Sequence, residues 1–418
     1  MKFSFVGKIP SSKSLLNRAL ILKSFNNNLL IQGLSSCDDV LLMKTALKDF
    51  LKGKTEFCCG SAGTVLRFLA LRLSKKPGKY YLKASQQLLS RPNDELIKLL
   101  SQLSCKASFD KNGLNIISNG WSLMGDSVSI SAKQSSQFIS AFLLSAWNLN
   151  FPCYISLGDN IFSESYLQMT MQLCKDQGMK IEYNKQKPYE IYIPKNQKLN
   201  AKQIIIEPDM GSVFALSAIA CVTGCIQVTD FTINSIQGDV SFINYLQKIG
   251  ADIDIKILDK TTSILKVKES QAFKTNFSGH LFVNQTKKGF SASLKNTPDL
   301  FPSLATLACL LTGESVFTDI SHIAHKESNR LLEIKKLLNL LGRGVELKKD
   351  SFIIKEWEYV GASPALKQNI IFDTKEDHRL VMAAYVLIAA GFNIKCSDES
   401  SVSKSFPEFL ALTKNLKN

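Results

Sequence analysis

The sequence predicts an α/β protein that is built from a repeated unit and divided between two domains. A helix, a turn, a strand, a tight turn and a second strand recur in stretches such as RPNDELIKLLSQLSCKASFDKNGLNIIS and SNRLLEIKKLLNLLGRGVELKKDSFIIKE. The predicted helix ends at Gly178, Gly250 and Gly342 lie 72 and 92 residues apart. This spacing indicates a repeat of roughly 70 residues in about six copies. A chain of 418 residues is also too long for one ordinary core.

Apolar helices rich in small residues lie between these units. Examples are GSAGTVLRFLALRL, MGSVFALSAIACVTG and DHRLVMAAYVLIAAG. Because they are apolar on nearly all sides, we expect each helix to be buried inside its unit. The strands would then form the outside, with the polar helix starts exposed at one end. A predicted crossing between the two halves lies near Pro208, in IIIEPDMGS.

Composition limits the class of protein and its compartment. Hydrophobic residues make up 45% and charged residues 21% of the chain, as in a soluble globular protein. No apolar run approaches the roughly 20 residues that span a bilayer, so no membrane association is predicted. The first residues, MKFSFVGKIP, do not have the pattern of a secretory signal. The ten cysteines include no C-x-x-C pair, which predicts reduced thiols and a cytosolic protein.

The net charge of +15 is distributed in a way that favours small anions over nucleic acid. Of the 51 basic residues, 51 − 7 = 44 are lysines, spread along the chain without a long basic run. Five of the seven arginines fall at or near predicted helix starts: Arg18, Arg67, Arg91, Arg330 and Arg379. A guanidinium binds phosphate or carboxylate through two parallel hydrogen bonds, which an ammonium cannot do. The arginines therefore predict an anion site.

Short polar clusters precede the apolar helices at several points of the chain. A helix N-terminus with added hydroxyl, ammonium or guanidinium donors suits an anion. Each cluster also has a simpler interpretation, as an ordinary helix cap, a glycine-rich turn or an ion-paired helix end. The clusters are SSKSLLNR at 11–18, GSAGT at 60–64, SRP at 90–92, SSQF at 135–138, PD at 298–299, HKESNR at 325–330, DHR at 377–379 and SKSFPE at 403–408.

Read in order, these clusters resemble the 5-enolpyruvylshikimate-3-phosphate synthases, a family of enolpyruvyl transferases. The resemblance spans residues 7–410. It implies two inverse α/β barrels made of six β-α-β-α-β-β units, three per domain, with the active site in a cleft between the domains. Residues 13–207 would form the shikimate 3-phosphate domain, and residues 1–12 with 208–418 the second domain.

The resemblance also implies a role for each matching residue. Shikimate 3-phosphate would contact Lys13, Ser14, Arg18, Ser135, Ser136, Ser163, Asp299 and Lys326. Phosphoenolpyruvate would contact Lys13, Gly63, Arg91, Gln137, Arg330, Arg379 and Lys404. The implied catalytic residues are Lys13, Asp299, Glu327 and His378.

The implied reaction joins the 5-hydroxyl of shikimate 3-phosphate to C2 of phosphoenolpyruvate and expels phosphate. Two carboxylates with lysines beside them suit the proton transfers that this addition and elimination require. The two small molecules are the expected partners. We expect a monomer without a metal or other cofactor, and without a nucleic-acid partner.

The sequence departs from the family pattern at several positions and leaves two alternatives open. Ser11, Ser61, Phe68 and Asn329 replace residues that are common in the family, and PDMGS stands where D-x-S-S is usual. One alternative is the related UDP-N-acetylglucosamine enolpyruvyl transferase, although ASQQLLSRPND lacks the reactive cysteine expected of that enzyme. The other alternative is a non-catalytic relative that binds anions or nucleic acid.

Overall fold

The computed structural model describes residues 2–123, 125–133, 135–158, 161–186, 188–259, 261–273, 289–357 and 368–417. Its α-helices are α1 (Lys13–Lys23), α2 (Asp38–Leu51), α3 (Gly63–Ser74), α4 (Gln86–Leu89), α5 (Asp94–Gln102), α6 (Gln137–Ser145), α7 (Glu164–Asp176), α8 (Met210–Val222), α9 (Phe242–Ile249), α10 (Phe301–Cys309), α11 (Arg330–Leu340), α12 (His378–Ala389) and α13 (Phe409–Thr413). Its strands are β1 (Phe3–Gly7), β2 (Ile31–Gln32), β3 (Glu56–Cys58), β4 (Gly78–Lys83), β5 (Lys106–Phe109), β6 (Gly113–Ser118), β7 (Ser127–Ser129), β8 (Cys153–Gly158), β9 (Glu182–Asn184), β10 (Tyr189–Ile193), β11 (Ile204–Ile205), β12 (Gly224–Phe231), β13 (Asp252–Ile257), β14 (Ser263–Lys268), β15 (Ser291–Ser293), β16 (Ser315–Thr318), β17 (Val345–Leu347), β18 (Ser351–Ile354), β19 (Ile370–Phe372) and β20 (Ile394–Cys396).

The chain divides into two compact units. One unit is Ser11–Ile206, and the other combines Met1–Pro10 with Glu207–Asn418. The chain therefore passes twice from one unit to the other. The two divisions fall two residues and one residue before the positions that the sequence predicted.

The unit Ser11–Ile206 contains sheets with the strand orders β3-β4-β6-β5, β7-β8-β10-β9 and β11-β2. The first pair of each four-stranded sheet is parallel, and the remaining pairs are antiparallel. Parallel neighbours need a crossover connection, and here buried helices α3 and α6 supply it. Antiparallel neighbours close through tight turns, as in the pair β5 and β6. This arrangement is the predicted β-α-β-α-β-β repeat.

The other unit follows the same plan, with the strand orders β1-β12-β14-β13, β15-β16-β18-β17 and β19-β20. Four of the six predicted repeats are complete, and the described part of the third sheet in each unit has only two strands. Among the described residues, neither of these sheets has the antiparallel hairpin of the other repeats. Helix α2 leads directly into β3, and β20 is followed by α13.

The helices that join parallel strands form the cores of the two units. Every residue of α8 and of α10 is buried, as is nearly all of α3 and α12. Outer strands alternate between buried and more exposed positions, as the pattern of β4 shows. The prediction of buried helices with strands outside is therefore confirmed. Within the described ranges, no helix has the length and apolar character required to cross a membrane.

Candidate active site: two groups of polar residues

Helix α1 begins with the predicted cluster, and its lysine is held by a carboxylate. Ser12 occupies the N-cap position without a side-chain cap hydrogen bond, and Lys13 is the first helical residue. Lys13 Nζ lies 2.8 Å from Asp39 Oδ2, and only 14% and 9% of the two side chains are exposed. Asp39, in the first turn of α2, was not among the predicted site residues. This ion pair fixes the direction of the Lys13 ammonium.

Arg18 is buried one turn further along α1. Its guanidinium donates to Thr170 Oγ1 at 2.7 Å, to Ser14 O at 2.8 Å and to Tyr166 O at 3.4 Å. Burial lowers the pKa of Arg18 to about 10, so the side chain is still charged at neutral pH. All three of these acceptors are neutral. A buried cation with neutral acceptors gains most from an added anion, which fits the predicted phosphate role.

The predicted phosphate-binding serines lie at the starts of two neighbouring helices. Ser136 is the N-cap residue of α6, and Ser135 Oγ accepts from the backbone nitrogen of Gln137 at 3.2 Å. Ser163 is the N-cap residue of α7 and has a left-handed backbone, with φ 57°. This conformation costs a residue other than glycine on the order of 1–3 kcal/mol. Among the described residues, no hydrogen bond joins Ser163 to Ser135 or Ser136.

Gly63 and Arg91 are brought together at the start of α3. A Cβ atom built on Gly63 would lie 3.0 Å from Arg91 NH1 and 3.4 Å from its Cζ. The guanidinium therefore lies close to the helix N-terminus, where a side chain on residue 63 would crowd it. A guanidinium beside a helix N-terminus presents several positive donors to one anion.

Arg67, on α3, links several of the predicted residues, although the resemblance gave it no role. It donates from NH1 to Gln137 Oε1 at 2.8 Å and from NH2 to Asn93 Oδ1 at 3.1 Å. Gln137 in turn donates to Thr64 Oγ1 at 3.1 Å. Burial, followed by the nearby Arg91 charge, lowers the pKa of Arg67 well below its usual range. The signal in the sequence was its place inside an apolar helix, which indicates a side chain directed inward.

A second group of polar residues, in the other unit, is organised by Arg330 at the start of α11. Arg330 NH1 donates to Asp299 Oδ1 at 2.9 Å, and Lys326 Nζ lies 3.5 Å from the same oxygen. The other side of the guanidinium binds Asp377 through two hydrogen bonds, from Nε at 2.8 Å and from NH2 at 3.1 Å. Arg330 therefore bridges two carboxylates. Asp377 was missed as a site residue, although it precedes His378 in the DHR cluster.

The charges around Asp299 keep its carboxyl ionised. Burial alone would raise the pKa of Asp299, but Lys326, Arg330 and Arg379 together hold it well below its usual range. Burial would likewise lower the pKa of Arg330, and the carboxylates of Asp377 and Asp299 raise it instead. At neutral pH, Asp299 is therefore an anion, which can accept a hydrogen bond from a substrate hydroxyl and stabilise a positive charge.

Glu327 and His378 form a carboxylate–imidazole pair. His378 Nδ1 lies 2.8 Å from Glu327 Oε2, and the glutamate side chain is 14% exposed. With Asp377, these residues place three atoms that could bind a metal within 4.8 Å of one another. Both oxygens of Asp377 are already bound by Arg330, so the geometry fits a proton-transfer pair better than a metal site.

Arg379 and Lys404 are attached to the same group through the segment that begins α12. Asp377 is the N-cap residue of α12 and accepts from Arg379 N at 3.0 Å. Arg379 NH2 lies 4.0 Å from Asp299 Oδ2, and Lys404 Nζ donates to Glu376 O at 2.8 Å. The structure thus joins seven predicted residues in one group: Asp299, Lys326, Glu327, Arg330, His378, Arg379 and Lys404.

The fold and the two residue groups define a class of protein before any comparison. Each unit presents cations at helix starts, and in each unit carboxylates lie within hydrogen-bond distance of basic side chains. This arrangement of side chains is typical of an enzyme that binds phosphorylated or carboxylated substrates and transfers protons.

The chain belongs to the EPSP synthase family. The family profile, described as EPSP synthase (3-phosphoshikimate 1-carboxyvinyltransferase), matches residues 48–412. The chain is 27% identical over 435 residues to 3-phosphoshikimate 1-carboxyvinyltransferase 2 of Halalkalibacterium halodurans, covering 98% of this chain and 91% of the relative. It is 28% identical over 441 residues to the 3-phosphoshikimate 1-carboxyvinyltransferase of Methanosarcina acetivorans, covering 99% and 96%.

Solved structures of the same fold support the architecture. An EPSP synthase from Acinetobacter baumannii superposes with a TM-score of 0.73 at 18% identity, covering 99% of this chain and 96% of that one. The enolpyruvyl transferase NikO from Streptomyces tendae superposes with a TM-score of 0.66 at 10% identity, covering 99% and 95%. The two-domain α/β fold and the family resemblance predicted from the sequence are therefore confirmed.

Proposed function

We propose that this chain transfers the enolpyruvyl group of phosphoenolpyruvate to the 5-hydroxyl of shikimate 3-phosphate and releases phosphate. The product, 5-enolpyruvylshikimate 3-phosphate, leads through the shikimate pathway to chorismate and the aromatic amino acids. One observation carries the proposal. In a chain of this family, Asp299 and Glu327 each lie within hydrogen-bond distance of a predicted site residue, Arg330 and His378 respectively.

Shikimate 3-phosphate is assigned to residues that supply hydroxyl and cationic donors. The buried Arg18 charge and the serines at the starts of α6 and α7 support this assignment, because a phosphate dianion satisfies several such donors at once. The assigned residues are Lys13, Ser14, Arg18, Ser135, Ser136, Ser163, Asp299 and Lys326.

Phosphoenolpyruvate is assigned to the arginines that lie near helix starts. Its phosphate and carboxylate are planar or tetrahedral groups of oxygens, which guanidinium groups bind through paired hydrogen bonds. The close approach of Arg91 to Gly63 supports this assignment. The assigned residues are Lys13, Gly63, Arg91, Gln137, Arg330, Arg379 and Lys404.

The proposed reaction has an addition step and an elimination step. In the addition, the 5-oxygen forms a bond to C2 as Asp299 accepts the hydroxyl proton, and C3 receives a proton from the Glu327–His378 pair. In the elimination, the C2–phosphate oxygen bond breaks and its electron pair leaves with the phosphate, while Glu327 takes back one proton from C3. The departing phosphate is stabilised by the Lys13 ammonium and takes up the proton that Asp299 accepted, which restores both carboxyl groups to their starting state. Each acid or base step contributes typically about 10²–10⁴ in rate, and fixed cations stabilise the anionic intermediate.

The proposal also covers the compartment, the oligomeric state, the partners and the cofactor requirement. We assign the enzyme to the cytosol, as a monomer whose partners are its two small-molecule substrates. The proposed steps are carried out by side chains of this chain, without a cofactor.

The direct test is phosphate release from the purified full chain. We expect release only when shikimate 3-phosphate and phosphoenolpyruvate are both present. UDP-N-acetylglucosamine serves as the control acceptor, and turnover of that substrate would reassign the chain to the related transferase. No release with either acceptor would contradict the proposal and favour a binding protein without catalysis.

A further inference from the structure

Arg379 lies where a side chain on residue 211 would otherwise stand. A Cβ atom built on Gly211, in the first turn of α8, would lie 2.3 Å from Arg379 NH1, 2.4 Å from NH2 and 2.7 Å from Cζ. These distances are far inside the roughly 3.5–4.0 Å of ordinary contact between heavy atoms. The guanidinium therefore packs directly on the backbone of α8, and only glycine leaves room for it.

In this position the hydrogen-bonding capacity of the Arg379 guanidinium is not fully used. Arg379 is 5% exposed, and its Nε atom is buried without a hydrogen-bond partner among the described residues. Asp299 Oδ2 is 4.0 Å from Arg379 NH2, which is beyond hydrogen-bond distance. By contrast, Arg330 makes three hydrogen bonds to carboxylates. A buried donor that lacks a partner destabilises the protein, so the position is a poor one for a guanidinium.

Charge at longer range explains why the arginine remains there. Burial would lower the pKa of Arg379, but the carboxylates of Asp299, Asp209 and Asp239 raise it. These carboxylates attract the guanidinium toward the start of α8. An anion that offers two oxygens at hydrogen-bond distance would hold it better.

We propose that the backbone of Gly211 is a resting place for Arg379, which the guanidinium must leave in order to bind phosphoenolpyruvate. The inference rests on the proposed function only for the identity of the anion. With NH1 and NH2 both packed against the Gly211 backbone, the guanidinium does not offer this edge to a ligand, so the resting position competes with binding. Apparent affinity is reduced by the fraction of molecules in which the binding position is populated. Gly211 is then a residue that sets substrate affinity without touching the substrate.

The variant Gly211→Ala tests this competition. The added methyl group excludes the guanidinium from its resting place, and alanine is well tolerated within a helix. We expect the KM for phosphoenolpyruvate to fall by about three-fold or more, while the KM for shikimate 3-phosphate is unchanged. Gly344→Ala is the matched control, because its Cβ would meet nothing closer than 3.5 Å.

The double variant Gly211→Ala, Arg379→Lys shows whether the effect passes through the arginine. We expect Gly211→Ala to have no effect on the KM in the Arg379→Lys background. An unchanged or higher KM in the single variant would overturn the proposal, as would the same decrease in both backgrounds.

A second measurement does not depend on turnover. Phenylglyoxal modifies accessible arginines, and the rate at Arg379 can be followed by peptide mass spectrometry in the absence of substrates. We expect modification of Arg379 to be several-fold faster in Gly211→Ala than in the parent chain or in Gly344→Ala. Equal rates would overturn the resting position, even if the chain proved to have another substrate. Failure of the proposed function would appear separately, as absence of phosphate release from the parent chain.

Discussion

Three buried arginines differ in the acceptors that surround them. Arg330 is matched by the carboxylates of Asp299 and Asp377. Arg18 and Arg67 instead donate to hydroxyl, amide and backbone oxygens. The unit Ser11–Ile206 therefore holds buried positive charge that these hydrogen bonds do not neutralise. That difference supports the assignment of phosphate binding to this unit.

Replacement of Arg18 by methionine is expected to separate binding from stability. Burying a charge without an opposite charge is unfavourable, so an apolar side chain of similar volume is tolerated at such a site. Thr170 Oγ1 keeps its contacts with Ser140 and Tyr166 O. We expect the free energy of unfolding of Arg18→Met to stay within about 1 kcal/mol of the parent value.

The binding readout for the same variant is the KM for shikimate 3-phosphate. We expect an increase of about ten-fold or more, because a charge-assisted hydrogen bond is worth about 1.5–3 kcal/mol. A large loss of stability without a change in KM would show that Arg18 is structural.

Glu327 is the residue on which the proposed proton transfer at C3 depends. Glutamine keeps the shape of the side chain but cannot exchange a proton with His378 or the substrate. We expect kcat of Glu327→Gln to fall by about 10²–10⁴, with little change in either KM. Glu314→Gln, at a side chain that is 49% exposed, is the control. A kcat within a factor of two of the parent value would assign the proton transfer elsewhere.

His322 makes the stability of the fold depend on pH. Burial, followed by the Lys326 charge, lowers the pKa of His322 to about 3, below its usual value near 6.5. Below about pH 6.5, His322 therefore binds a proton in the unfolded chain but remains neutral in the folded chain. His322 stabilises the fold fully above this value, and its contribution is lost at lower pH.

Urea unfolding of the parent chain and of His322→Asn at pH 7 and pH 5 measures this contribution. We expect the free energy of unfolding to decrease more in the parent chain than in the variant. Asp239, whose pKa burial and Asp299 raise to about 7, is present in both and cancels in the comparison. The exposed His325→Asn is the control, and equal pH dependence in all three chains would refute the role of His322.

At the scale of elements, Asp377 connects two helices. Its side chain caps α12 by accepting from Arg379 N, and it binds Arg330 at the start of α11. Asparagine can still cap a helix but carries no charge, whereas alanine can do neither. We expect Asp377→Asn to destabilise the fold by about 3–5 kcal/mol through the broken buried ion pair, and Asp377→Ala by about 1 kcal/mol more.

Denaturant unfolding of the two Asp377 variants measures this difference. Equal destabilisation would show that the cap contributes nothing, and a small loss in both would show that the ion pair is not important for stability.

The sequence predicted the starts of helices better than it predicted the side-chain contacts between helices. Clusters such as HKESNR and DHR were recognisable because short-range patterns determine helix caps and first turns. The partners Asp39 and Asp377 were missed as site residues, and Arg67 was given no specific role, because their contacts depend on which helices become neighbours. Asp39 lies 26 residues from Lys13, and Asp377 lies 47 residues from Arg330. The sequence showed that PDMGS departs from the usual pattern at Gly211. It could not show that the Arg379 guanidinium packs against this glycine.

At the scale of the whole molecule, the repeat explains both the fold and its two exceptions. Buried helices follow from small apolar residues repeated over 9–13 positions, as in α8 and α10. The third repeat of each unit lacks a hairpin within the described residues, which the helix-and-turn pattern of the sequence did not predict. The proposed roles in binding and proton transfer fall in both units, and the segment between β20 and α13, where one of the two hairpins is replaced, carries Lys404.

The proposed addition and elimination are tested most directly by the reaction carried out in deuterium oxide, with the product examined by mass spectrometry. Addition to C2 makes C3 a methyl group, and elimination then removes one of its three hydrogens. We therefore expect 5-enolpyruvylshikimate 3-phosphate in which a large share of the molecules carries deuterium at C3. No product, or product without deuterium at C3, would contradict the proposed addition and elimination.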